Sequence, residues 1–306
     1  MKRKFLIMAP SYDDNIGGHV VLHKLCHLLN ECSVKAYLLP YIDNDSVRSD
    51  RKIISIYASF KKYIKRFMPY TTNPEFSTPV LQRIPEDISD PSWVVIYPEV
   101  TSGNPIGGKN VVRWFLHQPG FHTGEVAYGS GELHVKYSSA IYDFSFPGCT
   151  LSDDYLKVIH YPVNFYNRKG TLYKRSGTAY CLRKGKGKLL VHDVSDSILI
   201  DGKSHAEVAN IFKHAEVFIS YDSLTAYSRF AALCGCTSIV VPDEGVSIDD
   251  WYPDKSDRFG ISYGFSSTAI NEANVSAKLL SAQISKEEKQ CATDIIRFLK
   301  NVDDHF

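Results

Sequence analysis

The feature that most limits what this chain can fold into is residues 214–242, HAEVFISYDSLTAYSRFAALCGCTSIVVP, where two β-rich apolar runs flank one short helical pattern. Val217, Phe218 and Ile219 form the first run, and residues 238–241 form the second, which Pro242 stops. Between them Leu224, Tyr227, Ala231 and Ala232 recur at helical spacing, and Gly235 is placed to end the helix. Asp222 and Ser223 supply N-cap chemistry, so the helix is expected to start near Ser223. Two strands joined through a helix run parallel, and parallel sheets need helices on both faces, so this β-α-β unit predicts an α/β protein.

In a parallel sheet, ligands bind at the loops leaving the carboxyl ends of strands, and the next helix presents unpaired N–H groups and a positive dipole end to an anion. Here that loop is 220–225. Hydroxyls on Ser223 and Thr225, with Ser228 just beyond, suit a diphosphate, and Asp222 either caps the helix or holds a sugar hydroxyl. Plain helix capping accounts for Asp222 and Ser223 equally well.

At 306 residues the chain is long enough for two domains. Its 35 basic and 34 acidic residues nearly cancel, so bulk charge gives no reason to expect nucleic acid, and any electrostatic function must be local. The opening MKRKFLIMAPSYDD holds only a short apolar run and reads as a first strand, not a signal peptide. No run approaches the ~20 apolar residues of a membrane span. Seven scattered cysteines are expected to be reduced and buried, as in a cytoplasmic protein. Cys234 and Cys236 lack a Cys/His pair at metal-site spacing, so no metal is expected.

Residues 4–8 read as a strand, and the loop 9–18, APSYDDNIGG, opens onto a helix carrying Val20, Val21, Leu25, Leu28 and Leu29 at helical spacing. Neither a G-x-G-x-x-G fingerprint nor a G-x-x-x-x-G-K-[ST] loop occurs, so neither a dinucleotide cofactor nor a P-loop is supported. Gly17 and Gly18 either let backbone approach a ligand or make a tight turn. A second strand is expected at 34–39. Within 56–70, IYASFKKYIKRFMPY, basic and aromatic residues alternate in a pattern that suits either an anionic bilayer surface or an ordinary surface helix.

Strands at 93–97 and 111–116 deliver the loops PEVTSGNPIGGKN and HQPGFHTGE. Glu99, His117, His122 and Glu125 are the titratable candidates for acid/base work there, with Glu99 and His117 best placed at strand ends. Further strands are expected at 142–146 and 163–166. The charged, Gly-punctuated run 167–177 then divides the chain into domains 1–168 and 169–306.

The second half restarts with a strand at 179–182 that feeds RKGKGK at 183–188, a cationic loop placed to neutralise a diphosphate unless it is simply a solvated turn. Short strands at 189–191 and 197–199 precede a helix at 204–215 with a capping box between Ser204 and Glu207. An acidic loop at 243–260 and a mainly helical stretch at 264–300 complete the chain, the latter able to pack back across both domains.

CLRKGKGK at 181–188 and FISYDSLTAYSRFAALCGC at 218–236, in two Rossmann-like halves, resemble a GT-B glycosyltransferase; GGHVVL at 17–22 and PEVTSGNP at 98–105 further resemble bacterial transferases that build O-antigen and capsule chains. Ser220 and Ser228 stand at the spacing where the commonest retaining GT-B families carry two acids. The resemblance implies an α/β fold of two Rossmann-like domains facing a cleft. It implies a nucleotide sugar, UDP-linked and of galactose type, held by Arg183, Lys184, Asp222, Ser223 and Thr225. A glycan or lipid-linked glycan acceptor would lie near Gly17, Gly18 and Asn104, facing Glu99 or His117. It implies no metal and no cofactor, and a place at the cytoplasmic face of a membrane. An epimerase of similar fold and a non-catalytic glycan- or nucleotide-binding module are the alternatives.

Overall fold

The computed structural model describes residues 2–40 and 69–306. The basic aromatic segment 56–70 lies, up to residue 68, outside the described residues. The chain divides into two compact units, Met1–Val158 with Cys291–Phe306, and Ile159–Gln290. This division falls earlier than the 168/169 boundary read from the charged run, because Tyr166 is buried in the second unit's core beside Phe230 and Phe212.

In the first unit, β1 (Lys4–Ala9), α1 (Gly17–Glu31), β2 (Lys35–Pro40), β3 (Trp93–Pro98), β4 (Asn110–Phe115), β5 (Leu133–Lys136) and β6 (Thr150–Tyr155) follow in sequence. Among the described residues they make one sheet in the order β2-β1-β3-β4-β5-β6, parallel at every pairing. Alternate residues on the central strands serve the two faces. Phe5, Ile7, Val94, Ile96, Val112 and Trp114 enter the core under α1, while Leu6, Met8, Val95, Tyr97 and Val111 enter the opposite one.

The second unit contains β7 (Thr178–Cys181), β8 (Ser197–Leu199), α2 (His205–His214), β9 (Val217–Ser220), α3 (Tyr227–Cys234), β10 (Thr237–Val240), α4 (Ile248–Trp251) and β11 (Ile261–Tyr263). Its strands are again parallel, in the order β11-β10-β9-β7-β8. The capping box at Ser204 and Glu207 forms, and Gly235 ends α3 at φ +90°, a conformation that favours glycine. A final helix α5 (Ser267–His305) begins in this unit and ends in the first, where Ile295, Phe298 and Val302 complete the core under β1. The α/β fold of two Rossmann-like sheets is thus as the sequence predicts. Among the described residues no helix is long and apolar enough to cross a membrane.

Several local expectations are corrected. Residues 142–146 form a loop, because Phe144 and Phe146 turn their rings onto Tyr128 instead of entering a ladder. The strand lies earlier, at β5. Residues 163–166 are a turn, since Phe165 and Tyr166 both donate backbone N–H to the Pro162 carbonyl. Residues 189–191 are extended but outside the sheet, and all three side chains are exposed. The helix expected near Ser223 begins at Tyr227.

Candidate functional site

In both sheets the strand order reverses beside the first strand, between β1 and β3 and between β7 and β9. At such a point consecutive crossovers leave on opposite faces, so the loops diverge and open a crevice at the carboxyl ends. Of the residues singled out by sequence, Gly17, Gly18 and Glu99 border the first point and Arg183, Lys184, Asp222, Ser223 and Thr225 the second, while His117 follows β4 and Asn104 lies farther along the loop after β3.

In the second unit, β7 leads through Leu182 into one turn of 3-10 helix, Arg183–Gly185. Arg183 sits at φ +42°, an uncommon conformation for a residue with a side chain. It is held there because the Asp201 carboxylate, just past β8, accepts the backbone N–H groups of Arg183 at 2.9 Å and Leu182 at 3.3 Å. The Arg183 side chain then reaches the facing loop: Nε lies 3.8 Å from Asp222 Oδ2, and the guanidinium stands 5.2 Å from the Tyr227 ring centroid. Lys184 is exposed beside it. Two residues on, Gly185 packs against the Tyr221 backbone so closely that a β-carbon would overlap the Tyr221 carbonyl.

The loop after β9 is fixed by its own side chains. Ser220 Oγ donates to the Asp222 carbonyl at 2.6 Å, Asp222 Oδ1 accepts the Leu224 N–H at 3.1 Å, and Thr225 Oγ1 accepts the Tyr227 N–H at 3.4 Å. Trp251 Nε1 donates to the Ser223 carbonyl at 2.7 Å. These bonds satisfy the backbone locally and delay the helix to Tyr227, so Asp222 and Ser223 stand before α3 and do not cap it. At the start of α3 the Ser228 hydroxyl is buried without a hydrogen-bond partner among the described residues. Lys188, the last cation of the basic run, donates to the Val241 carbonyl at 2.7 Å and pairs with Asp243 at 2.8 Å, tying the loop to the end of β10.

Two supports carried no sequence signal beyond position. Tyr221 is fully buried, and its hydroxyl accepts the Val191 N–H and contacts His192 Nδ1, each at 2.8 Å. Burial holds His192 below the ordinary imidazole pKa. Asp201 was legible only as an acid directly after a strand. Cys181, at the end of β7, has its thiol pushed up to about 12 by burial, which leaves it a packing group and not a nucleophile.

At the first unit's reversal, Gly17 and Gly18 open α1, with nothing within 4 Å of a β-carbon built on Gly17 and Leu116 Cδ1 3.7 Å from one built on Gly18. Glu99 directly follows β3, is 6% exposed, and accepts the Leu116 N–H at 3.0 Å, while its own carbonyl accepts Tyr128 Oη at 2.7 Å. His117, two residues past β4, accepts the Gln118 N–H and packs its ring, tilted, 4.1 Å from that of Phe121, with His122 4.9 Å away. Glu99 and His117 therefore stand at neighbouring strand ends, and both are buried. His122 and Glu125 are exposed on the same loop. Asn104 lies farther along the loop after β3: its amide accepts from Tyr97 Oη and the Gly107 N–H and donates to the Gly108 carbonyl, which commits it to holding that loop.

The Glu99 loop rests on a buried ion pair. Arg113, fully buried on β4, forks onto Glu132 at 2.6 and 2.9 Å and donates to the carbonyls of Thr101 and Gly103 at 2.7 and 2.9 Å. Burial raises the Glu132 pKa, but hydrogen bonds from His134 and Arg113 outweigh it and hold the carboxyl below its ordinary range. A cavity of about 510 Å³ lies at the other, amino end of β7 and β8 and includes none of these residues.

No protein-family model matches the chain, and no curated protein matches it. Among solved structures the chain is similar to the spinosyn forosaminyltransferase SpnP at 9% identity, over 100% of this chain and 96% of that one, with a TM-score of 0.36.

Proposed function

We propose that the chain is a metal-independent glycosyltransferase of the GT-B type, in which the second unit holds a nucleotide sugar and the first receives the acceptor. The observation that carries this reading is the β7/β9 reversal, where Arg183, locked by Asp201 and aimed by Asp222, stands beside exposed Lys184 and the start of α3. A guanidinium, an ammonium and a helix N-terminus are the groups that stabilise a departing diphosphate. Arg183 and Lys184 take the phosphates, Ser223 and Thr225 donate hydroxyls, and Asp222 contacts ribose or sugar.

In the inverting form, an acceptor hydroxyl attacks the anomeric carbon, the bond to the diphosphate breaks, and the proton passes to Glu99 or His117 as general base. In the retaining form those residues position the acceptor. The finer proposal is a UDP-hexose of galactose type transferred to a lipid-linked O-antigen or capsule chain at the cytoplasmic membrane face; it is supported by the resemblance of 17–22 and 98–105.

The test is a titration of UDP, GDP, CMP and dTDP and their sugars by thermal shift, since ligand at 100 times its Kd stabilises the native state by about 2.7 kcal/mol. One nucleotide should raise the melting temperature selectively, and Arg183→Ala should lose affinity and transfer together. No response to any nucleotide refutes the donor site. A rearranged sugar released without acceptor would assign an epimerase, and nucleotide binding without turnover a binding module.

A further inference from the structure

The charged run 167–177, which the proposed donor and acceptor sites leave unused, carries Arg168, Lys169, Lys174 and Arg175 and no acid. It enters β7 at the strand's amino end, opposite the end at which Arg183 and Asp222 stand. The run is pinned at several points. Leu172 N–H donates to the Lys213 carbonyl and Ser176 N–H to the His214 carbonyl, each at 3.2 Å, where α2 ends. Thr171 Oγ1 and Arg175 Nη1 donate to the Cys234 carbonyl at 3.3 and 3.5 Å, where α3 ends. Two helix C-termini therefore fix the loop.

The negative ends of those helices account for part of its charge. A β-carbon built on Gly235, just past α3, would lie 3.1 Å from Arg175 Nη1 and 3.5 Å from Arg168 Cζ, so both guanidiniums gather at that helix end. Lys169 and Lys174 are exposed instead, and among the described residues neither pairs with a carboxylate. Between the two cationic pairs the loop turns an apolar tip outward: Tyr173 is fully exposed and Leu172 about half. Along the chain the order is Arg-Lys, then Leu-Tyr, then Lys-Arg.

We propose that this loop docks the protein on an anionic bilayer, with Leu172 and Tyr173 entering the headgroup layer and Lys169 and Lys174 meeting lipid phosphates. The chemistry selects that occupant. Anionic lipid attracts lysine and arginine clusters, and a tyrosine ring settles at headgroup level with its hydroxyl in water. A free polyanion or a nucleic acid would use the cations and leave Leu172 in water. A folded protein partner needs about 20–30 residues a side, which a single loop tip does not supply, whereas a bilayer accepts individual inserted side chains. Docking from the amino end of the sheet also keeps the crevice at its carboxyl ends open to substrates.

The test is flotation of the full chain with vesicles of phosphatidylcholine alone, and of phosphatidylcholine and phosphatidylglycerol in equal parts. The anionic vesicles should carry the protein and the neutral ones should not. Each cation at an anionic surface strengthens partitioning roughly fivefold, so Lys169→Ala with Lys174→Ala should weaken it about 25-fold. Tyr173→Ser, with every charge kept, should weaken it severalfold. All three side chains are exposed, so melting should stay at the wild-type value. The variants should also keep the wild-type response to nucleotide, so this test and that of the donor site fail separately. No flotation with the anionic vesicles, or flotation that either variant leaves unchanged, overturns the proposal. Retention on heparin without flotation overturns it as well and gives the loop to a soluble polyanion.

Discussion

Gly185→Ala tests whether the close approach of the two loops at the β7/β9 reversal holds the proposed donor site together. A β-carbon there would overlap the Tyr221 carbonyl and lie 2.9 Å from Tyr221 Cβ. Tyr221 has little freedom to retreat: its N–H donates to the Cys181 carbonyl at 3.0 Å, its hydroxyl is bonded on the far side, and it is fully buried. The 183–187 turn must move instead, and overpacking of this kind costs about 1–3 kcal/mol. Displacing the turn should also pull Arg183 from Asp222, weakening nucleotide binding by about one power of ten for each ~1.4 kcal/mol of lost contact. Gly185 has no positive φ, so without the clash alanine would be neutral or would stabilise by about 0.4–1 kcal/mol through the unfolded chain. The sign of the change thus decides the matter. Gly187→Ala, with nothing within 4 Å of its β-carbon, is the matched control and should be close to neutral. Urea unfolding and nucleotide calorimetry on both variants give the answer. A Gly185→Ala protein as stable as wild type, binding nucleotide as tightly, would refute the packing account.

Arg229 on α3 is buried between Asp257 at 2.9 Å and Glu287 of α5 at 2.7 Å. Burial alone would lower its pKa, but Tyr161, Glu287 and Asp257 hold it well above the ordinary value. Arg229→Met should therefore destabilise the second unit by about 3–5 kcal/mol in denaturant unfolding, since two buried carboxylates lose their cation. Glu132 supplies a pH dependence. Its folded pKa is depressed below the ordinary 4.5, so its contribution to stability is present above that value and is lost as pH falls through the lower folded value. Unfolding midpoints should drop steeply below pH 4.5, and Glu132→Gln should flatten that limb; an unchanged slope in the variant would assign the acid sensitivity elsewhere.

What could be read from sequence followed the covering of the strands. The runs at β1, β3 and β9 are apolar at nearly every position and β4 and β10 carry apolar cores, all mostly buried, and continuous apolar runs between turn residues are recognisable. β5 escaped because His134 and Lys136 are buried polar side chains whose partners, Glu132 and Asp143, come from outside the strand. β6 escaped because it is an edge among the described residues, with Asp153 exposed and Asp154 taken by Asn301 of α5, and two acids in a row read as a turn. The loop after β9 was legible as a loop, but its internal bonding was not. Asp222 and Ser223 have the composition of a helix cap, and only the Trp251 indole, arriving from a distant turn, shows why the chain spends four more residues before α3 begins.

The two reversals also show how the same topology presents different side chains. Each sheet opens its crevice between its first strand and a strand reached by crossing back, so the geometry of the two sites is set by backbone alone. The side chains then differ by what the adjacent loops can anchor. In the second unit Asp201 and Asp222 sit next to Arg183 and fix it, so a cation is presented in one orientation at low entropic cost when an anion arrives. In the first unit the fixed cation, Arg113, is withdrawn beneath the loop, where it ties down the Thr101 and Gly103 carbonyls, and what reaches the strand ends is Glu99 and His117. With the arginine at the rim the second unit's loops present a cation, and with the arginine in the support the first unit's strand ends present a carboxylate and an imidazole; the proposed transfer assigns phosphate to the first set and the acceptor's proton to the other.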